Sequence, residues 1–76
     1  MSLDIQVKQI LDDFENASSE QVLKALDEIK KHFKSALTQD YLTGKIKSVR
    51  DTPEEFERKK LCKTLIPYLD WYMQGI

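Results

Sequence analysis

Few residues in this 76-residue chain could carry chemistry: one histidine, one cysteine and some adjacent acids. His32 stands between Lys31 and Phe33 in a basic stretch. A general base needs an orienting carboxylate or a nucleophile beside it, and nothing near His32 in the sequence supplies one. It reads as an ordinary exposed histidine. Cys62 follows Leu61 and lies between Lys60 and Lys63. Neighbouring cations favour a reactive thiolate, but a lone cysteine on the apolar side of a helix is usually a small core residue. The core reading is preferred, with a reactive thiol or an intermolecular disulfide as the alternatives. One His and one Cys fall short of a zinc site, which needs four such ligands or three plus water. No metal and no cofactor are expected.

Asp12 with Asp13, and Glu54 with Glu55, are acid pairs. Acid–base hydrolysis needs two carboxyls facing each other across a substrate, one of them with a raised pKa. Consecutive helical residues diverge by about 100° and do not converge on one point. The second pair also has a full explanation as a helix cap. No enzyme and no small-molecule substrate are expected.

Two larger clusters point to binding instead. Lys45, Lys47 and Arg50 precede Arg58, Lys59, Lys60 and Lys63. On neighbouring helices these could share a face and meet phosphates. Lys45, Lys47, Arg50 and Lys59 are the residues for that alternative, a small helical transcriptional regulator. Against it, Glu54, Glu55 and Glu57 sit among the cations, and the overall charge is −1. A solvated charged face is the simpler explanation, and nucleic acid is not the expected partner.

The other cluster is the C-terminal stretch LIPYLDWYMQGI, which holds the single Trp and two of the three Tyr. Tyr68, Leu69, Trp71, Tyr72 and Met73 would cover nearly the whole circumference of a helix. Trp, Tyr and Met are enriched at protein interfaces. Burying one such side chain is worth roughly 1.5–3 kcal/mol, a large share of the stability of so small a domain. Either the N-terminal helix covers this stretch, with Leu3 and Ile5 reaching over, or Tyr68, Trp71, Tyr72 and Met73 bind another protein or a second copy in a homodimer. The leading expectation is a non-enzymatic interaction module of adaptor, inhibitor, immunity or regulatory type.

These residues must be positioned by helices. Leu3, Val7, Ile10, Leu11 and Phe14 recur at helical intervals, and Asn16 is a reasonable stop. Ser18 and Gln21 form a capping-box pattern, followed by Val22, Leu26, Ile29, Phe33 and Ala36 or Leu37. That spacing predicts a helix from about Ser19 to Leu37, with Asp27 and Lys31 paired four apart. A short third helix is expected over residues 39–49, capped by Thr38, although the second helix could run on without a break or Gly44 could mark a turn. Thr52, Pro53 and Glu55 predict the next start, with Thr52 as N-cap, Pro53 at the first helical position and Glu55 closing a capping box. Its seam would be Phe56, Leu61, Leu65, Leu69 and Tyr72, widened by Cys62, Ile66 and Met73, with a kink at Pro67 inside one helix.

The expected fold is therefore all-α: a single domain over residues 1–76, a small antiparallel bundle of three to four helices. Its predicted core is Val7, Ile10, Leu11, Phe14, Val22, Leu26, Ile29, Phe33, Leu42, Ile46, Leu61, Leu65 and Leu69. Two Gly and two Pro are too few for an all-β chain. No apolar run approaches the roughly 18–20 residues that span a bilayer, and the opening residues lack a signal-peptide pattern. A cytoplasmic protein without membrane attachment is the expectation. Charge is unevenly spread: residues 1–20 carry one Lys against five acids, while residues 21–50 carry seven Lys or Arg against three acids.

Overall fold

A serine opens each of the first three helices in the computed structural model, which describes residues 2–75. The elements are α1 (Leu3–Asp12), α2 (Ser19–Ile29), α3 (Ala36–Arg50), α4 (Glu55–Lys63) and α5 (Ile66–Met73). Short 3-10 turns, Phe14–Asn16 and Lys30–His32, follow α1 and α2. No strand occurs among the described residues, and none of their helices is long and apolar enough to cross a membrane. Among the described residues the fold is all-helical, as expected, with five α-helices in place of three to four.

The α2 start is the one the sequence announced. Ser18 Oγ accepts from the Gln21 N–H at 3.1 Å, and Gln21 Oε1 accepts from the Ser18 N–H at 2.8 Å. The helix stops eight residues before the predicted end. Phe33 is extended and Ser35 starts α3 by accepting from the Thr38 N–H at 3.3 Å. Gln39 Nε2 donates to the Phe33 carbonyl at 2.5 Å and holds the corner. The apolar spacing runs unbroken to Phe33, which is buried, so periodicity concealed the break. A second serine able to cap decided it. α3 then runs three residues further back than expected, and Thr38 lies inside it. Gly44 is helical and makes no turn; a methyl placed there meets nothing within 4 Å. It costs about 1 kcal/mol against alanine.

The fourth start differs in detail. Thr52 does not cap: its hydroxyl donates back to the Ser48 carbonyl at 3.1 Å. Glu54 holds the N-cap position, so Pro53 precedes the helix instead of opening it. Glu55 does not close a local box. Its carboxylate reaches Ser19, accepting from the backbone N–H at 2.9 Å and from Oγ at 2.5 Å. Ser19 is fully buried, and both of its donors are met by this one carboxylate. In place of one continuous last helix there are two, with a turn at Thr64 and Leu65 and Pro67 second in α5. There the missing N–H of proline leaves no intrahelical bond unmade.

The core is built from all five helices: Val7, Ile10, Val22, Leu23, Ala25, Leu26, Ile29, Phe33, Leu42, Ile46, Val49, Cys62, Leu65 and Leu69. Leu11 and Phe14 pack against it half-buried. Leu61 is instead 40% exposed and Phe56 72% exposed. The buried residue of α4 is Cys62, one position round from the predicted seam. The α2 ion pairs also shift by one: Asp27 meets Lys30 at 2.9 Å and Glu28 meets Lys31 at 3.6 Å.

One stripe of α4 ties the α1–α2 corner. Glu55 takes the first donor of α2, Lys59 Nζ donates to the carbonyls of Phe14 and Ala17, and Cys62 Sγ lies 4.0 Å from the Ser19 carbonyl. Lys59 also sits 3.9 Å from the Phe14 ring centre. Donation from Ser19, first through its side chain and then its backbone, holds the Glu55 carboxyl below its ordinary range. A depressed carboxyl stabilises the fold above its unfolded pKa, and that contribution is lost as pH falls through the folded value. Urea midpoints should therefore fall as pH drops from about 5 to 3. Glu55→Gln should be less stable than wild type at pH 7 and show a flatter acid limb; an unchanged limb would separate the acid loss from this contact.

Candidate functional site

The aromatic-tail residues of α5 meet two sets of neighbours, Asp4 and His32 on one hand and Phe33 and Tyr41 on the other. On one side, Tyr72 Oη donates to Asp4 Oδ1 of α1 at 2.6 Å. The His32 ring is 5.5 Å from Tyr72. Met73 is 39% exposed and shares a small hollow of about 310 Å³ with Asp4, His32 and Tyr72. The bond to Asp4 is the main reason the Tyr72 hydroxyl resists ionisation, with burial second. This side is where α1 covers the tail, with Leu3 half-buried against the core and Ile5 left exposed.

The other side is open. Trp71 is 47% exposed and stands edge-on to Tyr68, with ring centres 5.2 Å apart at 83°. Tyr68 is half-buried and meets buried Phe33 edge-on at 6.0 Å. Tyr41 of α3 lies 6.0 Å from Tyr68 on the outer side. Burial raises the Tyr68 pKa first, and the neighbouring Tyr41 adds to it. The result is a ladder of rings from core to solvent: Phe33, then Tyr68, then Trp71 and Tyr41. Edge-to-face contacts of this kind fix ring orientation and add about 0.5–1.5 kcal/mol beyond area. Lys45 Nζ lies 5.6 Å from the Tyr41 ring centre at the rim.

Sequence reasoning missed Tyr41 and placed Leu37 at the end of α2. Both belong to α3, and the signal was available in their spacing of four. It was hidden by the assumed boundary between the second and third helices.

The basic residues are dispersed. Arg50 pairs with Glu20 at 3.6 Å, and Arg58 reaches the same carboxylate at 3.5 Å. Lys59 is turned onto the Phe14 and Ala17 carbonyls. Lys45 leans on Tyr41, and Lys47 is exposed. His32 is exposed, and among the described residues no group of three His, Cys, Asp or Glu is placed to hold a metal. Asp12 and Asp13 line a shallow groove of about 600 Å³ beside Gln6, Gln9, Gln21 and Lys24. Asp13 also accepts from Asn16 Nδ2 at 2.7 Å. No protein-family model, curated protein or solved structure matches the chain, so the aromatic face is read from its own geometry.

Cys62 is buried under α2, and burial pushes its thiol up to about 11. At neutral pH it is protonated and out of reach, which makes it a core residue. A disulfide reagent added at pH 7.5 should leave the native protein unmodified and label it at the unfolding rate, becoming fast in denaturing urea. Rapid labelling without denaturant would show that α4 opens locally.

Proposed function

We propose that this chain is a small non-enzymatic interaction module that docks another protein through the exposed face of α5. The observation that carries the reading is Trp71, half in solvent yet braced edge-on by Tyr68, which is itself braced by the core. A rigid aromatic held proud of a surface loses little conformational freedom on binding, and Trp and Tyr dominate binding hot spots. Tyr68 forms the floor of the contact and Trp71 its anchor. Tyr72 and Met73 extend it round the helix, where the Asp4 contact limits Tyr72. Asp70 and Lys45 would form a charged rim that governs partner choice more than affinity. Adaptor, inhibitor, immunity-type and regulatory-subunit roles all suit a surface of this kind.

The nucleic-acid alternative has less support. Two of its four residues, Arg50 and Lys59, spend their charge within the chain. No observation favours it specifically.

Trp71→Ala tests the proposal. The variant should keep the helical circular dichroism of the wild type. Immobilised wild type should retain a partner from source-cell extract that the variant loses, since truncating an anchor of this type costs about 2 kcal/mol or more, some thirtyfold in affinity. Trp71 emission should be red-shifted in the free protein and move to shorter wavelength on binding. A sealed, blue-shifted indole in the free protein, or retention indifferent to Trp71→Ala, would defeat the reading.

A further inference from the structure

Leu37, Tyr41, Gly44 and Ser48 run along the outer side of α3, opposite Leu42, Ile46 and Val49, which enter the core. Their spacing of four, three and four is the seam spacing of paired helices. Leu37 is 82% exposed and Tyr41 49% exposed. Gly44 completes the stripe, and its own chain gives no reason for it: no neighbour would meet a methyl there, and its backbone is ordinary helix. A glycine unneeded by its own fold suits the close approach of something from outside.

The stripe is complementary to its own reverse. Turned end for end about its midpoint between Leu42 and Thr43, a second α3 sets Tyr41 against Gly44 and Leu37 against Ser48. Each large side chain meets a small one. Asp40 and Lys47, both exposed, lie on the same flank of the stripe. In this antiparallel pairing, Asp40 of one helix and Lys47 of the other are offset by roughly 3 Å along the axis. Twofold symmetry makes that ion pair twice. Tyr68, with Trp71 edge-on to it, meets the stripe at Tyr41.

We infer that a second copy of this chain docks on the outer face of α3, antiparallel and twofold-symmetric, with each Tyr41 ring seated over the other copy's Gly44. The occupant follows from the complementarity: a stripe whose bulk and charge both invert about its centre fits itself. A 15-residue helix is about 22 Å long, so the contact falls short of the roughly 800 Å² per partner of a standard interface. The dimer is correspondingly weak, with a dissociation constant on the order of 10–100 μM. This inference concerns a different face from the α5 proposal and stands or falls separately.

Sedimentation equilibrium over about 1–500 μM decides it. The wild type should move from one chain mass to two. Gly44→Leu improves helix propensity and puts its side chain into open space in the monomer, so the fold survives. It should raise the dissociation constant at least about tenfold. Asp40→Lys and Lys47→Asp should each weaken the dimer about two- to fivefold, and the D40K/K47D double variant should recover it. A wild type that stays monomeric throughout the range overturns the inference. So does a dimer indifferent to Gly44→Leu. Self-association abolished by Trp71→Ala but untouched by Gly44→Leu would move the contact to α5, overturning the inference and leaving the α5 surface intact.

Discussion

The corner between α1 and α2 is the constraint on which the other placements depend. A chain that ends one helix and starts another within six residues leaves carbonyls without donors on one side and N–H groups without acceptors on the other. α4 answers both from a single stripe: the Glu55 carboxylate on the Ser19 donors, the Lys59 ammonium on the Phe14 and Ala17 carbonyls. Each charge faces the end of the backbone dipole that attracts it. Cys62, two turns on from Glu55, continues the stripe into the apolar interior against Ser19. The order of acid, base and thiol along α4 sets both where the helix lies on α2 and which way round it faces. Everything after it is carried along: only Thr64 and Leu65 separate α4 from α5, so the corner also decides which side of the aromatic tail meets α1.

The same stripe explains what could be read in the sequence. Some residues whose partners are three or four positions away were legible. Ser18 and Gln21 cap as their spacing implies, and Val7, Ile10, Val22, Leu26, Ile29, Leu42, Ile46, Leu65 and Leu69 fall on buried faces. Glu55 and Lys59 were illegible because their partners are 36 and 45 residues away. Locally, Glu55 fits a capping box after Thr52 equally well, and Lys59 fits a basic surface. The α4 register failed for a related reason. Its fixed points are an acid hydrogen-bonded to Ser19, a lysine and a cysteine, so the apolar residues Phe56 and Leu61 were poor guides to the inward face. Of the candidate docking residues, Trp71 is half exposed. The division of Tyr68 and Trp71 from Tyr72 and Met73 depends on which neighbour, α1 or α3, flanks each side of α5, and only tertiary structure decides that.

Small size sharpens these choices. A chain of 76 residues buries only about 60% of its unfolded surface, so some apolar side chains must stay outside. Their distribution is uneven. The α1 side of α5 is closed by a specific bond, the Tyr72 hydroxyl on Asp4, which joins residues near the two ends of the chain. The α3 side has rings and, among the described residues, no such latch. Exposed apolar residues scattered singly need no explanation, and Phe56, with Lys60 over its ring, is one of these. Leu37 and Tyr41 differ because they share one face of α3, and Trp71 because it stands edge-on to Tyr68.

What distinguishes that region from a merely greasy surface is its support from beneath. Phe33 is buried at the corner where α2 gives way to α3, a corner fixed by the Ser35 cap and by Gln39 on the Phe33 carbonyl. Tyr68 stands on Phe33, and Trp71 and Tyr41 stand on Tyr68. The orientation of the outermost rings is thus set by a break between helices that no docking residue occupies. Were α2 to continue to Leu37 as its periodicity invites, Phe33 would join a straight helical seam, and Leu37 would take the next inward position on it. The interruption turns Leu37 and Tyr41 outward and Phe33 inward. It is the cap at Ser35, more than the aromatic content of the tail, that leaves Leu37 and Tyr41 exposed beside the rings of α5.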